Sequence, residues 1–414
     1  MYKQTIIIDN GSLYSKMGFG GNLEPTIVIP TAILNLEKKN TSSVSTKSYE
    51  YNYYIGDEAI NKARESKDNK LIYPMKNGID WDLMEKYWYK GIYDYLKCDP
   101  EEQYFVLTEP IMNPPENRKN MEEIFFETFN VPGLYIENKA SLSLFGLNYY
   151  LKDNNKLNEE QENAIKSLTG IVVYSGDEKT YIVTICDGYI IQSKIKQFPI
   201  AGKHITKFIE QMIRERGEQI NSEDLYDATM EVKEKFCYLS RDLITEFSRF
   251  DKKENIDGKL TQSSKFKKYE GIGKISSKPF SINVGYESFL GPESFFSPEI
   301  IDNNCKQSLD EIIDLTIQQC DIQYTKRLYA NILFIGGSTL FKNLDRKLEL
   351  CLQNRVDKRL DKYNSGKQNS VNVKVSSIPI NHRAWYGGSA VSSEWDFKEK
   401  VHTREKYLEK GPSF

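Results

Sequence analysis

The chain has 414 residues, of which 39% are hydrophobic and 28% charged, and its formal net charge is −3. This length and apolar content exceed one small core and predict a folded protein with two or more lobes. The 56 lysines and arginines nearly balance the 59 aspartates and glutamates, which argues against a nucleic acid or a membrane surface as partner.

Six cysteines are scattered without a Cys-x-x-Cys spacing, and only three histidines accompany them. This pattern argues against a zinc site and predicts buried free thiols in a reducing compartment. An apolar strand pattern begins directly after Gln4, so we expect no signal peptide. No apolar run approaches the length of a membrane span. We therefore expect an intracellular, soluble protein.

The first predicted element is a buried strand, Ile6–Asp9, which ends in a glycine turn at Gly11 and Ser12. A return strand follows and carries Lys16. Backbone N–H groups at such a turn, a hydroxyl and an ammonium can together bind phosphate oxygens. Asp9 at the strand end suits Mg²⁺, through water. An ordinary β-hairpin with an Asx turn explains the same residues. This motif alone therefore does not distinguish a phosphate site from a structural turn.

The hairpin pattern recurs in the middle of the chain. Val172–Tyr174 runs into a second glycine turn at Gly176 and Asp177, and Tyr181–Asp187 forms its return strand. Two such tips can close on one phosphate chain. The repeat therefore predicts a duplicated nucleotide clamp.

Helices and strands alternate along the rest of the chain. Apolar residues at i, i+4 spacing predict helices, and Asp or Ser caps mark two of their starts. The helical stripes are Leu83–Leu96 after a cap at Asp82, Ile205–Ile213, Ile312–Ile317 after a Ser308–Glu311 capping box, and Leu344–Val356; further buried strands are Tyr104–Thr108, Gly170–Tyr174 and Ile332–Ile335. This alternation predicts an α/β fold with mostly buried sheets.

Four polar stretches interrupt the pattern, at residues 37–52, 152–167, 251–268 and 357–372. Because they are poor in aliphatic side chains, they bury too little surface to order themselves. We expect surface loops or insertions there.

Three further motifs suit a nucleoside. They are Lys233 and Glu234 on a predicted helix, Gly336, Gly337 and Ser338 after a strand, and the similar Gly387–Ser389 after Trp385 and Tyr386. A bare glycine backbone can lie against a base or ribose, and a lysine–glutamate pair can hold ribose hydroxyls and the adenine edge. Tight packing explains the glycines equally well, and a solvated helix surface explains the lysine–glutamate pair.

The order of these motifs along one chain resembles the actin family. The residues that carry the resemblance are Tyr54–Ile60, Trp81–Glu85, Leu107–Pro110, Phe129–Ile136, Pro199–Gly202, Val284–Glu287, Phe289–Glu293, His402–Thr403 and Gly411–Ser413. The resemblance runs from Ile6 to Ser413 and fails only in the four polar stretches. It is closest to the branch that pairs with actin-related protein 2 in the actin-related protein 2/3 complex.

The resemblance implies an actin-like fold of duplicated ribonuclease-H-like domains, with two lobes and four subdomains around a nucleotide cleft. The implied bounds are 1–36, 71–147 and 382–414 for subdomain 1, 37–70 for subdomain 2, 148–200 and 304–381 for subdomain 3, and 201–303 for subdomain 4. The implied cofactor is ATP or ADP with Mg²⁺, held weakly or not at all.

The resemblance also assigns the site residues by position. It places Asp9 at the metal, and it places Gly11, Ser12, Lys16, Gly176, Asp177, Gly202, Lys233, Glu234, Gly336, Gly337, Ser338 and Phe341 at the nucleotide. It implies no catalytic residue, because the groups that would position the attacking water are altered.

The departures from the family pattern concentrate at the phosphates. Leu13 stands where the family has glycine, which costs about 1–2 kcal/mol if the turn needs a left-handed backbone. In the second loop, Tyr174 replaces a carboxylate of the metal shell and Glu178 replaces a glycine. Lys139 aligns with the family's water-orienting glutamine and Tyr181 with its histidine. Such groups typically contribute about 10²–10⁴-fold to rate, so we expect hydrolysis to be lost or very slow.

Two interpretations of these changes stay open: drift in an unconstrained cleft, or replacement of the metal's charge by Lys139 and Lys179. The implied function is an actin-like subunit that helps nucleate branched filaments. Its implied partners are actin-related protein 2, the other subunits of the complex, actin filaments and nucleation-promoting factors. The implied location is the cytoplasm and cytoskeleton, with the nucleus open. The alternatives are an ATP-hydrolysing switch subunit and a nuclear, chromatin- or spindle-associated scaffold.

Overall fold

The computed structural model of the chain describes residues 4–35, 53–65, 69–76, 78–151, 157–250, 253–254, 260–261, 265–363, 371–376 and 380–412. The predicted polar stretch 37–52 and most of 251–268 lie outside these residues. The chain divides into two compact units. The first comprises Met1–Asn155 and Pro379–Phe414, and the second comprises Lys156–Ile378.

The N-terminal part of the first unit supplies most of that unit's strands. The strands are β1 Thr5–Asn10, β2 Tyr14–Phe19, β3 Ile27–Pro30, β4 Ile33–Asn35, β5 Tyr53–Ile55, β6 Leu71–Ile72, β7 Tyr104–Glu109 and β8 Gly133–Asn138. The helices are α1 Gly56–Ala63, α2 Trp81–Lys90, α3 Pro115–Glu123 and α4 Lys139–Leu151; α2 and α3 continue into π-helical turns at Gly91–Tyr95 and Ile124–Thr128, and a 3₁₀ turn spans Pro100–Glu102.

The second unit follows without interruption. Its strands are β9 Gly170–Ser175, β10 Thr180–Cys186, β11 Tyr189–Ile190, β12 Lys196–Phe198, β13 Lys253–Glu254, β14 Leu260–Thr261, β15 Lys267–Ile272, β16 Pro279–Val284, β17 Ile332–Ile335 and β18 Val375–Ser376. Its helices are α5 Glu159–Lys166, α6 Gly202–Glu215, α7 Ser222–Phe236, α8 Leu243–Phe250, α9 Glu287–Glu293, α10 Leu309–Gln318, α11 Ile322–Ala330 and α12 Leu344–Tyr363, with 3₁₀ turns at Gln192–Lys194, Pro298–Ile300 and Gly337–Thr339. The chain then returns to the first unit through α13 Arg383–Ser392, α14 Phe397–Lys400, β19 His402–Thr403 and α15 Arg404–Lys410.

Each unit is built on a sheet of the same pattern. In the first unit the order is β19-β8-β7-β1-β2-β3, with β1 antiparallel to β2 and parallel to β7. In the second the order is β11-β10-β9-β17-β18, with β9 antiparallel to β10 and parallel to β17. The predicted α/β class and the repeated hairpin are both confirmed.

The two hairpins match at the level of single hydrogen bonds. The Gly11 N–H donates to the Tyr14 carbonyl at 3.0 Å, and the Gly176 N–H donates to the Lys179 carbonyl at 3.0 Å. In both hairpins the glycine that follows the strand bonds to the residue three positions later. The sequence repeat is therefore a repeat of backbone geometry.

The cores lie where the apolar stripes predicted them. In α2, Met84, Tyr87 and Trp88 are almost fully buried, and the Trp88 ring meets the edge of Phe125 at 5.1 Å between centroids. Strand β1 is buried along its whole length, as expected for a strand inside a sheet covered on both faces. No helix among the described residues is both long and apolar enough to cross a bilayer.

Two predicted helix caps are wrong in detail. Helix α2 begins two residues earlier than the Asp82 cap implies, and the Asp80 carboxylate accepts the Leu83 N–H at 3.1 Å. Ser308 does precede α10, but its side chain makes no cap hydrogen bond. Instead its hydroxyl accepts from Arg355 at 3.3 Å, so a tertiary partner has replaced the local one.

Two of the polar stretches are partly helical, so the loop prediction is wrong there. In 152–167, α5 begins with a capping box between Asn158 and Gln161. In 357–372, α12 continues through the polar sequence as far as Tyr363. Helix ends are favoured by exactly such polar capping residues and tolerate charged faces, which composition alone does not reveal. The six cysteines form no disulfide, as predicted, but only Cys186 and Cys237 are buried.

The glycine pair Gly387–Gly388 does not follow a strand, contrary to the sequence pattern, but lies inside α13. A Cβ on Gly387 would stand 1.9 Å from the Leu142 carbonyl oxygen, and a Cβ on Gly146 of α4 would stand 2.9 Å from the Gly387 Cα. These glycines therefore let α13 and α4 touch backbone to backbone. Tight packing is the correct interpretation of this pair.

We predict that Gly387→Ala destabilises the protein by about 3 kcal/mol, the upper end for overpacking. Alanine is the better helix former by about 1 kcal/mol, but a contact at 1.9 Å with backbone outweighs that gain. Chemical denaturation measures the difference. The control is Gly337→Ala, where a Cβ meets no atom within 4 Å and stability should not change. Equal stability of the two variants would contradict the close crossing.

Candidate functional site

The first candidate half-site lies at the tip of the β1–β2 hairpin, in the first unit. Asp9 is the last but one residue of β1 and pairs in register with Lys16 of β2. The Lys16 Nζ lies 3.4 Å from Asp9 Oδ2, and it lies 3.6 Å from the place a Cβ on Gly11 would occupy. Ser12 is half-buried beside Gly11. Four predicted residues of this half-site therefore lie together.

Lys139 is the unexpected member of this cluster. It is the first residue of α4, directly after β8, and only 5% of it is exposed. Its Nζ lies 2.8 Å from Asp9 Oδ1 and donates to the Asn10 carbonyl at 2.5 Å. Lys139 therefore forms a buried ion pair at the hairpin tip, and the interpretation of this residue as unconstrained drift does not account for that contact.

Thr108 also belongs to the cluster and was missed by the sequence reasoning. Its hydroxyl donates to Asp9 Oδ1 at 2.6 Å. The signal was available, because β1 and β7 are parallel and Ile8 lies opposite Leu107. Asp9 and Thr108 are the next residues after this pair, so they lie side by side at the same edge of the sheet.

The electrostatics of Asp9 follow from these contacts. Burial alone would raise the pKa of the Asp9 carboxyl, but Lys139 and Lys16 outweigh burial and hold that pKa well below its usual range. Because folding lowers this pKa, the ionised carboxylate stabilises the fold above its ordinary value of 3.8. That stabilisation is lost as the pH falls through the lower pKa of the folded state.

Leu13 fits the first turn without the strain that a left-handed backbone would bring. Among the described residues, the non-glycine positions with positive φ are elsewhere, for example Asn130 and Asn343. The Leu13 carbonyl accepts the Thr31 N–H at 2.8 Å. The conditional cost of replacing the family's glycine at this position therefore does not arise.

The second candidate half-site surrounds the β9–β10 turn, in the second unit. The Gly176 carbonyl accepts from the Gly202 N–H and from the Ser338 hydroxyl, each at 3.0 Å. The Asp177 carbonyl accepts from the N–H of Lys203 at 2.9 Å. The first turn of α6 thus holds the loop by its free N–H groups.

Close approaches surround three glycines of this half-site, and at Gly336 the nearest atom belongs to the backbone. A Cβ on Gly202 would lie 2.5 Å from the Ser338 hydroxyl, and one on Gly336 would lie 2.3 Å from the Ser175 carbonyl. Gly336 also has φ +95°, a left-handed backbone that favours glycine. Gly176 lies against Tyr174, whose hydroxyl would be 2.5 Å from an added Cβ.

The remaining predicted residues differ in exposure. A Cβ on Gly337 would meet no atom within 4 Å, so its backbone stands open. Phe341 is half-buried and its ring lies 6.4 Å from that of Phe295. Glu234 is exposed on α7. The hydrogen bonds that hold the loop come from Gly202, Lys203 and Ser338 and not from these three residues.

Lys233 is buried, so its interpretation as a solvated helix residue is wrong. It is 7% exposed, and its Nζ donates to the Thr206 hydroxyl at 2.8 Å and to the Gly202 carbonyl at 3.3 Å. Burial lowers the pKa of this ammonium, while the charges of Asp177 and Glu234 oppose the shift. Lys233 therefore ties α7 to the start of α6.

Glu178, the side chain of unexpected charge in the second loop, also has a partner. The Lys203 Nζ lies 2.5 Å from Glu178 Oε2, and both side chains are partly exposed. Lys179 is exposed and forms no ion pair with another residue in the described part of the chain. Lys203 therefore neutralises the extra carboxylate, a pairing that the sequence reasoning did not anticipate.

A divalent cation has little to bind in the first half-site. Mg²⁺ is usually held by one or two carboxylates and several waters. Both oxygens of Asp9 are already in contact with Lys139, Lys16 or Thr108. Across the described ranges, no group of three or more His, Cys, Asp or Glu residues could hold a metal ion. The residues present therefore fit an ammonium at Asp9 better than a cation from solution.

Comparison with known proteins identifies the class. The family model described as Actin matches residues 2–414, so the chain belongs to the actin family. The expected actin-like fold is thereby confirmed.

Within that family the similarity is to actin-related protein 3. The protein of that name from Caenorhabditis elegans is 40% identical over 425 residues, covering 98% of this chain and 95% of the relative. Its Drosophila melanogaster counterpart is 39% identical, with 98% and 95% covered. The Dictyostelium discoideum protein is 38% identical, with 99% and 95% covered. The branch that the sequence resembled is therefore confirmed.

We predict that Asp9→Asn lowers the free energy of unfolding by about 3–5 kcal/mol, because Lys139 keeps its buried charge and loses its partner. Chemical denaturation at neutral pH measures the change. The control is Glu123→Gln, which breaks the exposed Lys119–Glu123 pair at 3.5 Å and should cost no more than about 1 kcal/mol. An Asp9→Asn variant as stable as this control would refute a stabilising role for the pair.

Proposed function

We propose that the chain is a divergent actin-like subunit of the actin-related protein 2/3 complex, which nucleates branched actin filaments. The observation that carries this proposal is the end-to-end similarity to actin-related protein 3, over 98% of this chain and 95% of the Caenorhabditis elegans protein. A match of that extent includes nearly the full length of both chains, which supports a shared role. The proposed partners are actin-related protein 2, the other subunits, actin filaments and nucleation-promoting factors, in the cytoplasm and its cytoskeleton.

We further propose that the chain binds ATP or ADP through its two hairpin loops. Support comes from Lys16 and Gly11 at the first turn and from the open backbone of Gly337. The second loop adds a backbone held in one geometry by α6. A preformed loop lowers the entropic cost of binding. The division into four subdomains remains part of this proposal.

Hydrolysis, in this proposal, is lost or very slow. Lys139 directs its ammonium to Asp9 and Asn10, so it does not supply the amide that would orient a water. Tyr181 is 8% exposed and lies opposite Tyr174 in the β9–β10 register. Neither side chain is therefore placed to orient an attacking water as the family's glutamine and histidine would, because Lys139 is engaged with Asp9 and Asn10 and Tyr181 is buried. The nucleotide then serves as a structural ligand.

The assembly prediction is tested by reconstitution. When the chain is co-expressed with actin-related protein 2 and the other subunits, we expect it to co-elute with them in size-exclusion chromatography. We also expect branches in fluorescence microscopy of actin filaments, and none when the chain is omitted. A chain that stays outside the assembly, or an assembly that makes branches without it, would refute this function.

The hydrolysis prediction compares two forms of the chain. The variant Lys139→Gln/Tyr181→His regains both water-positioning groups. We expect the wild type to release phosphate from bound ATP at least about 10²-fold more slowly than an enzyme with positioned groups would, and more slowly than this variant. The Lys119→Gln variant, at an exposed residue, controls for loss of one charge. Sustained phosphate release by the wild type would favour an ATP-hydrolysing switch instead.

A further inference from the structure

The first hairpin tip contains more positive than negative charge. Two ammonium groups, those of Lys139 and Lys16, face the single carboxylate of Asp9 at 2.8 and 3.4 Å. Thr108 adds a neutral hydroxyl donor at 2.6 Å. The cluster therefore has a net positive charge, which attracts phosphate oxygens and repels a divalent cation.

The position of the inner ammonium is fixed by the fold. Lys139 begins α4, and its side chain is 7% exposed. Two of its three N–H donors are used by Asp9 Oδ1 and by the Asn10 carbonyl. A cation that displaced it from Asp9 would leave a buried ammonium without its counter-charge, which is strongly unfavourable.

The outer ammonium is closer to solvent. The side chain of Lys16 is 20% exposed, and its Nζ also donates to the Tyr14 carbonyl at 3.3 Å, beside the Gly11 turn. An ammonium at this position can reach a phosphate oxygen that accepts from the turn N–H groups. Lys16 is therefore suited to contact the phosphate directly, while the buried Lys139 contributes positive charge without contacting it.

We infer that this chain has exchanged the divalent cation of its phosphate site for a built-in ammonium, so that it takes a nucleoside di- or triphosphate as the free anion. The inference rests on the proposed nucleotide binding and names the form in which the nucleotide is bound. The Lys139 contact occupies the carboxylate that would face the cation, and the net positive charge of the cluster remains available to phosphate.

The test is a titration of the full chain with a fluorescent ATP analogue, once with excess Mg²⁺ and once with EDTA. We expect the wild type to bind at least as tightly in EDTA as in Mg²⁺. Lys139→Gln removes one positive charge and one of the two contacts of Asp9 Oδ1, the other being the Thr108 hydroxyl. We expect this variant to lose about tenfold or more in affinity in EDTA, because one positive charge near the phosphate is gone, and to regain part of that affinity with Mg²⁺.

The control is Lys119→Gln, which removes a lysine charge from an exposed pair and should behave as the wild type in both buffers. Wild-type binding that collapses in EDTA would overturn the inference and leave the proposed nucleotide binding intact. No wild-type binding in either buffer would overturn the nucleotide binding itself, and the inference with it. The wild-type comparison decides the matter even if Lys139→Gln does not fold.

Discussion

The ion pair between Asp9 and Lys139 joins the three chain segments on which the first unit is organised. Asp9 is the last but one residue of β1, Thr108 is the last but one residue of β7, and Lys139 follows β8 as the first residue of α4. All three meet at one sheet edge because β1, β7 and β8 run parallel. A buried carboxylate needs compensation, and the groups that compensate it come from the next strands in the sheet. The hairpin tip, the start of α4 and the charge of the candidate phosphate site are thus consequences of one arrangement.

In the second unit the corresponding loop is held mainly by backbone hydrogen bonds instead of an ion pair. Its loop carbonyls, at Gly176 and Asp177, accept from the first N–H groups of α6 and from Ser338. Free N–H groups at a helix start are natural partners for oxygen atoms. The extra carboxylate of this loop, Glu178, is neutralised by Lys203 on the same helix. The two halves of a duplicated motif have therefore diverged, one towards side-chain charge and the other towards backbone hydrogen bonds.

The proposed loss of hydrolysis requires the replaced residues of the two loops to be accommodated in the fold. Substitution of the water-positioning residues alone would leave the new polar side chains without hydrogen-bond partners. Here the substituted residues have acquired partners instead: Lys139 pairs with Asp9, and Glu178 pairs with Lys203. A buried charge persists only where it is compensated, so the Asp9–Lys139 pair stabilises the first loop whether or not a nucleotide is hydrolysed. The Glu178–Lys203 pair is partly exposed and contributes less.

Several features were determined by the sequence by itself. Apolar periodicity placed α2, α6, α12 and the strands β7, β9 and β17, because burial of one face fixes the spacing of apolar residues. The repeated hairpin and the ordered motif blocks were sufficient for the α/β class and the actin family. Asp9 and Lys16 were linked by the hairpin register alone, since a short turn fixes which residues lie opposite each other.

Only the tertiary structure decided what lies far apart in sequence and close in space. Lys139 is 130 positions from Asp9 by number, and no local pattern distinguishes a buried counter-ion from drift. For Lys233 the sequence left nucleoside contact and helix surface open, and the structure shows it donating to Thr206 and Gly202. For Gly387 the sequence left nucleoside contact and tight packing open, and the structure shows it packed against α4. Charge compensation and backbone contact depend on distance in space, which a single sequence does not encode locally.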